Sequence, residues 1–329
     1  MTFRLGYHIP FFNHDVPPAE LFPRLVAQAR AAEAAGFDLL TVMDHLVQPP
    51  LVGAPDEPIL EAYTTLAALA GATERIHLAT MVTSNTYRNP AVLAKIVTTL
   101  DVISGGRAAL GLGAGWFELE HQMYGIEFGS AAARIGRLAE ALDIIVPMLR
   151  GKRPTAQGTW YRAESAVNEP RMRDDLPVLI GGSGERKTFA LAALHADHLN
   201  ILCVPDELPR KMAAVRARCA EIGRDPGSLP VSFAAPMIID ADGDEARRRL
   251  REFMLKSGTD IDELTDAERA AATGRFFVGS PGEISARLRA EVLEHGITGL
   301  AVNLVADGDD PRTIELAGRT LAPLMGRLG

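Results

Sequence analysis

Apolar residues along this chain fall into two alternating patterns. Short continuous runs rich in Leu, Ile and Val read as buried strands: Phe3–Ile9, Leu39–Met43, His77–Val82, Ala108–Leu112, Val178–Ile180, His198–Leu202, Val231–Ile239 and Gly299–Val305. Between them apolar residues recur at the spacing of one helix face. Leu21, Leu25, Ala29 and Ala32 form the first such stripe, and Gly36 closes it. Ala62–Ala70 is the second. Pro90 fits the first turn of a third, with Leu93, Ile96 or Val97, and Leu100 on its face and Ser104-Gly105-Gly106 as its stop. Ile135, Leu138, Leu142, Ile145 and Leu149 mark a long amphipathic helix, and Phe189, Leu191, Ala193 and Leu194 a short one. Further stripes are Leu208 to Ile222, Ile284 to Val292 and Ile314 to Leu324.

Eight strands, each followed by a helix, in 329 residues predict an α/β fold, a closed parallel TIM (β/α)8 barrel. A doubly wound open sheet is the competing arrangement. Two stretches break the alternation, at about 150–176 and 241–275. The first contains Gly158-Thr159-Trp160-Tyr161 and reads as a small hairpin or lid. The second is charged and reads as surface helix. No Pro/Gly/Ser linker divides the chain, so residues 1–329 read as one barrel domain with insertions.

Composition narrows the function. Basic residues number 34 and acidic residues 42, a net charge of -8, which argues against nucleic acid or an anionic membrane surface as partner. Two cysteines, Cys203 and Cys219, cannot make a disulfide scaffold, so a reduced cytoplasmic protein is the expectation. Residues 1–6 read as the start of a strand rather than a signal segment, and no apolar run approaches membrane-spanning length.

In a barrel of this kind the loops after the strands carry function. Those exits present His8, Asp44-His45, Thr83-Ser84-Asn85, Gly113–Trp116, Gly181–Gly184, Asn200 and Asn303. The run Pro177–Thr188 is a strand, a glycine turn and a helix start, an arrangement whose free backbone amides suit a phosphate. A plain tight turn capped by Ser183 reads equally well. Gly111-x-Gly113-x-Gly115 resembles a dinucleotide fingerprint but has Trp116 where the third glycine would fall. Small residues there leave room for something flat or for close backbone approach, and simple helix–strand packing is the alternative. His45 is the best proton-handling candidate, although a strand-end hydrogen bond to Asp44 would also account for it. His195 and His198 lack a third metal ligand at zinc-like spacing, and no metal is expected. No lysine falls at a strand end and no GxSxG elbow occurs, so reactivity is expected from an organic cofactor.

At these residues the chain resembles the luciferase-like monooxygenase superfamily, in its coenzyme F420-dependent oxidoreductase branch. The resemblance rests on Leu40–His45, Leu78–Asn85, Arg88–Ala91, Asp101–Arg107, Leu110–Trp116, Pro177–Lys187 and Phe277–Glu283. It runs through nearly the whole chain in order. It implies a TIM barrel with the deazaflavin at the C-terminal mouth and a third strand that bulges at a non-proline cis peptide, Met81–Val82, behind the ring. It implies that Asp44, Thr83 and Ser84 flank the ring, and that Gly113, Ala114, Gly115 and Gly181, Gly182, Ser183, Gly184 receive its tail and phosphate. His45 would then face the reacting end, oriented by Asp44. The family's usual form is a homodimer.

One departure bears on substrate. The sugar-phosphate dehydrogenases of this branch carry a glutamate where this chain has Trp116. A more apolar pocket is therefore expected, lined by His8, Phe12, Trp116 and Asn200, with Phe11 as an alternative wall and Glu118 and Glu120 in solvent. The expected activity is hydride transfer between F420 and a small organic substrate other than a sugar phosphate. An FMN-dependent monooxygenase and a non-catalytic F420-binding protein are the alternatives.

Overall fold

The computed structural model describes residues 3–9, 11–12, 16–50 and 52–326; Met1 and Thr2, at the start of the expected first strand, fall outside these. The elements are β1 (Leu5–His8), α1 (Pro18–Ala34), β2 (Leu39–Val42), α2 (Ala62–Ala70), β3 (His77–Thr80), β4 (Thr83–Ser84), α3 (Pro90–Ser104), β5 (Leu110–Gly113), α4 (Glu118–Tyr124) and α5 (Ala131–Leu149). A hairpin of β6 (Ala156–Gln157) and β7 (Arg162–Ala163) follows, then β8 (Val178–Gly181), α6 (Thr188–His195), β9 (His198–Ile201), α7 (Leu208–Glu221) and β10 (Val231–Ile239). The chain continues through α8 (Gly243–Lys256), α9 (Asp266–Thr273), β11 (Phe277–Gly279), α10 (Pro281–Glu291), β12 (Gly299–Leu304) and α11 (Pro311–Leu321).

The main sheet runs β3-β2-β1-β12-β10-β9-β8-β5-β4, with β11 added beside β10. Its neighbours pair in parallel. The two ends meet where Leu78 bridges Ala108, through Leu78 N–H to Arg107 O at 2.9 Å and Ala109 N–H to Leu78 O at 2.9 Å. β3 lies within the predicted strand His77–Val82, and β4 follows it at the residues read as that strand's exit. The first stays with β2, as Thr80 pairs with Val42, while the second pairs with β5, as Thr83 faces Leu112. Between them the Met81–Val82 peptide is cis. Counted as one position, they leave eight around the ring, as the alternation of patterns predicted. β11 lies outside that pattern.

Alternation along each strand sorts the side chains. Leu5, Tyr7, Leu40, Val42, Leu110, Leu112, Val178 and Ile180 face outward into one large apolar core shared with the helices. Truncating a fully buried leucine there, such as Leu112, costs about 2–5 kcal/mol. Their alternates point into the ring. Phe3, Leu39, Ala79 and Ala109 plug its lower end.

The helix ends follow their sequence signals. The Asn89 side chain accepts from the Ala91 and Val92 amides ahead of Pro90, and Gly105 ends α3 at φ 69°. Ser280 and Glu283 form a capping box on α10. The first insertion holds the short antiparallel hairpin expected from Gly158–Tyr161. The second holds α8 and α9.

Candidate active site

The chemistry-bearing residues collect at the C-terminal rim of the ring. On β1, His8 Nδ1 lies 2.9 Å from Thr41 Oγ1 on the neighbouring strand. Burial, and then the nearby His45, hold the His8 ring at about 4, so it stays neutral near pH 7.

Past β2, Asp44 and His45 take different partners. Both oxygens of the buried Asp44 carboxylate accept from Arg88, at 2.6 and 2.9 Å. Arg88 also donates to Glu61 at 2.7 Å, and Glu61 caps α2 through the Thr64 amide at 2.7 Å. Burial pushes the Asp44 carboxyl above its ordinary range, against the pull of Arg88. His45 turns instead to α4, where its Nδ1 is 2.9 Å from Glu120 Oε1. Its ring stands edge-on to Trp116 at 5.5 Å and to Phe117 at 5.9 Å. Asp44 is therefore not the residue that orients His45.

Glu120 was expected in solvent and is fully buried. Its missed signal was helical spacing, because Phe117, Glu120 and His121 share one face of the first turn and Phe117 is apolar. Arg88, which opens the Arg88–Ala91 motif, is the partner of Asp44.

The β3–β4 break is held from below by hydroxyls. Tyr63 Oη is 2.6 Å from Thr83 Oγ1, which is 2.7 Å from Thr80 Oγ1, which donates to Gly111 O at 3.0 Å. Thr83 thus commits its side chain to the interior rather than to a ring at the mouth. Ser84 Oγ lies 2.8 Å from Thr86 Oγ1 and is nearly buried. Met81 and Val82 are half-buried.

The glycines at the rim serve this break. A Cβ on Gly113 would fall 2.7 Å from a Val82 methyl, and one on Gly181 also 2.7 Å from a Val82 methyl. A Cβ on Gly111 would fall 1.9 Å from Thr80 O, and one on Gly115 2.5 Å from Ser84 Oγ. Gly113 and Gly181 were expected to receive a ligand's tail. Their side-chain space is filled by Val82. Ala114 beside them is half-buried.

The turn after β8 is partly occupied as well. The Gly182 amide, expected to meet a phosphate, donates to Asn200 O at 3.0 Å and continues the strand pairing. The Ser183 hydroxyl donates to Leu202 O. The amides of Ser183, Gly184, Glu185 and Arg186 take no acceptor among the described residues. Buried Lys211 reaches in behind them, donating to Ser183 O at 3.1 Å. The anion reading therefore moves a residue or more downstream of Gly182.

Asn200, level with Gly181, is buried and donates to Ser232 Oγ at 2.9 Å. Asn303, level with His8, has a buried Oδ1 with no partner among the described residues. Trp116 is 60% exposed and is free to wall a pocket. Phe12 is fully buried in the main core and offers the mouth no surface. The lid hairpin is pinned to α5, because Glu140 accepts from the Thr159, Trp160 and Tyr161 amides at 2.8, 2.9 and 3.1 Å. Tyr161 also donates to Asn85 O at 3.1 Å. A cleft of about 540 Å³ opens between this hairpin and the β4 exit, lined in part by Tyr87, Arg137 and Trp160. Among the described residues, no group of three His, Cys, Asp or Glu side chains is placed to hold a metal ion.

Fold and rim together define a parallel (β/α) barrel protein with its polar groups gathered at the C-terminal strand ends. The chain matches the family described as luciferase-like monooxygenase over residues 3–299, and it belongs to that family. An F420-dependent glucose-6-phosphate dehydrogenase of Intrasporangium calvum is 32% identical over 321 residues, covering 89% of this chain and 92% of that relative. One of the same name from Microbacterium testaceum is 37% identical over 158 residues, 48% of this chain and 46% of the relative, so the match spans about half the length of each. Among solved structures, an F420-dependent secondary alcohol dehydrogenase in complex with an F420-acetone adduct superposes with a TM-score of 0.80, at 21% identity and 99% coverage of both chains. That last likeness is one of fold.

Proposed function

We propose that this protein is an F420-dependent oxidoreductase that moves a hydride between C5 of the deazaflavin and a small organic substrate other than a sugar phosphate. Family membership and the names of its relatives support the cofactor. The observation that carries the chemistry is His45, held by a buried carboxylate at the barrel mouth beside the Val82 break.

The residues present fit such a cofactor on two counts. The unpartnered amides from Ser183 to Arg186 are donors suited to its phosphate, and exposed Arg186 and Lys187 add positive charge. The buried, unpartnered Oδ1 of Asn303 is an acceptor at the mouth that a bound group would satisfy. Met81, Val82 and Ser84 would lie against the ring. When bound, F420 supplies a two-electron hydride carrier. The chain supplies positioning and a proton. His45 takes or gives the proton at the substrate oxygen, and neutral His8 adds no competing charge. Trp116 presents an aromatic wall where a sugar phosphate would need polar partners. The same reading makes the protein a cytoplasmic homodimer with a small-molecule substrate; sedimentation tests the oligomer.

The test is anaerobic. Oxidised F420 is offered with secondary alcohols and with glucose 6-phosphate, and reduced F420 with ketones and aldehydes, while the visible absorbance of the deazaflavin is followed. Exchange with an alcohol or carbonyl compound is expected, with none from glucose 6-phosphate, and His45→Ala is expected to lower it by about 100-fold or more. Glucose 6-phosphate turnover would overturn the substrate class. Binding without exchange across the panel would make the protein a carrier.

A further inference from the structure

The first turn of α4 puts a fully buried carboxylate in contact with His45. A carboxylate in that position is costly unless donors surround it. Glu120 has three. Leu46 N–H donates to Oε2 at 2.9 Å, Tyr87 Oη–H donates to Oε1, and His45 Nδ1 faces Oε1 at 2.9 Å. The next residue ties a second loop to the same turn. His121 Nε2 is 2.6 Å from Thr86 Oγ1 and its Nδ1 is 2.6 Å from Phe117 O. One helical turn therefore fastens the exit of β2 and the exit of β4 together.

We propose that Glu120 is the positioning residue of the site, fixing His45 as the Nδ1–H tautomer so that Nε2 is the nitrogen that exchanges a proton with substrate. Donors and acceptors around Glu120 decide the tautomer. Both Glu120 oxygens already accept, from a backbone amide and a phenol, so the ring nitrogen that meets them donates. In neutral imidazole a proton on Nδ1 leaves Nε2 with a lone pair. When Nε2 takes a proton, the imidazolium that forms sits against a carboxylate rather than alone. Trp116 and Phe117, both edge-on, restrict rotation of the ring. Asp44 does not compete for His45, because Arg88 holds both its oxygens.

This inference rests on His45 as the proton-handling residue, and the test separates the two claims. The wild-type protein is labelled with 15N-histidine and the His45 ring nitrogens are assigned by their loss in His45→Asn. The expected wild-type spectrum of the neutral ring has a protonated Nδ1 and a bare Nε2. In Glu120→Gln, which can keep the Leu46 and Tyr87 contacts, the preference is expected to vanish, with about half or more of the ring protonated on Nε2. Hydride exchange by that variant is expected to fall about 10–100-fold in kcat, with KM for F420 within about 2-fold, and Glu120→Asp to recover part of it. A wild-type ring protonated on Nε2, or a Glu120→Gln spectrum like wild type, would overturn the assignment. The wild-type spectrum decides even if the variant fails to fold. If the tautomer is as expected and His45→Ala keeps full turnover, the proton role of His45 fails while the hold of Glu120 on it stands.

Discussion

Arg88 grips both oxygens of Asp44, one with each terminal nitrogen, at 2.6 and 2.9 Å. The Asp44 side chain is 1% exposed and that of Arg88 14%, so the carboxylate has no water to fall back on. Replacing Arg88 by Met leaves a buried carboxylate without its partner and is expected to cost about 3–5 kcal/mol in urea unfolding. Arg88→Lys keeps the charge but not the fork, and should fall between. In Asp44→Asn/Arg88→Met, with the charge removed from both sides, much of the loss should return. A double variant no better than Arg88→Met would mean that the pair is not the source of the effect.

The rim glycines are expected to separate by what occupies their side-chain space. Gly113→Ala and Gly181→Ala each force a carbon to within 2.7 Å of a Val82 methyl. Overpacking of that kind costs about 1–3 kcal/mol, and by displacing Val82 it should weaken F420 binding as well. Gly282→Ala is the control, because nothing lies within 4 Å of the added carbon. It should be neutral or mildly stabilising. Thermal melts and F420 titrations of the three variants check this.

His198, at the lower end of the ring, is fully buried and has no hydrogen-bond partner on either ring nitrogen among the described residues. Burial lowers it from 6.5 to about 4. Between those values the unfolded chain takes up a proton that the folded chain refuses. Stability from this residue is therefore present above pH 6.5 and lost as pH falls toward 4. Between pH 7 and pH 5 the loss is about 2 kcal/mol. His198→Leu should lose correspondingly less over the same interval in urea unfolding. An unchanged pH slope in that variant would refute the assignment.

Trp116 is stacked on Phe117 at 5.1 Å and mostly exposed, so its truncation should leave the fold intact. Trp116→Ala is expected to raise KM for an alcohol or carbonyl substrate about 10-fold with a smaller effect on kcat, since Glu120 still holds His45. Steady-state kinetics with the substrate found in the panel measures it. A loss confined to kcat would place Trp116 in the chemistry rather than in the wall.

How much of this was legible in the sequence follows the range of the interactions. The strands of the barrel show because their signal is local, an apolar run bounded by turn residues. β11 escaped because its three residues, Phe277–Gly279, run straight into a helix cap and read as part of it. The break after Thr80 was expected only through family resemblance, as a bulge in the third strand, because neighbour choice decides it. Val42 and Leu112 hold its two halves, and neither is near in sequence. The cis peptide at Met81–Val82 was expected only through family resemblance. Glu120 escaped because an acidic residue in a short helix is usually solvated, and the partner that buries it, His45, lies 75 positions away. The same distance effect hid the fate of the Gly182 amide, which Asn200 claims from the neighbouring strand.

The central claim is that the mouth of this barrel binds a deazaflavin. Equilibrium dialysis of the protein against F420 and, separately, FMN tests it most directly. The account predicts F420 binding at least about 100-fold tighter than FMN, a difference of about 2.7 kcal/mol, weakened in Gly181→Ala. Equal or tighter binding of FMN would contradict it.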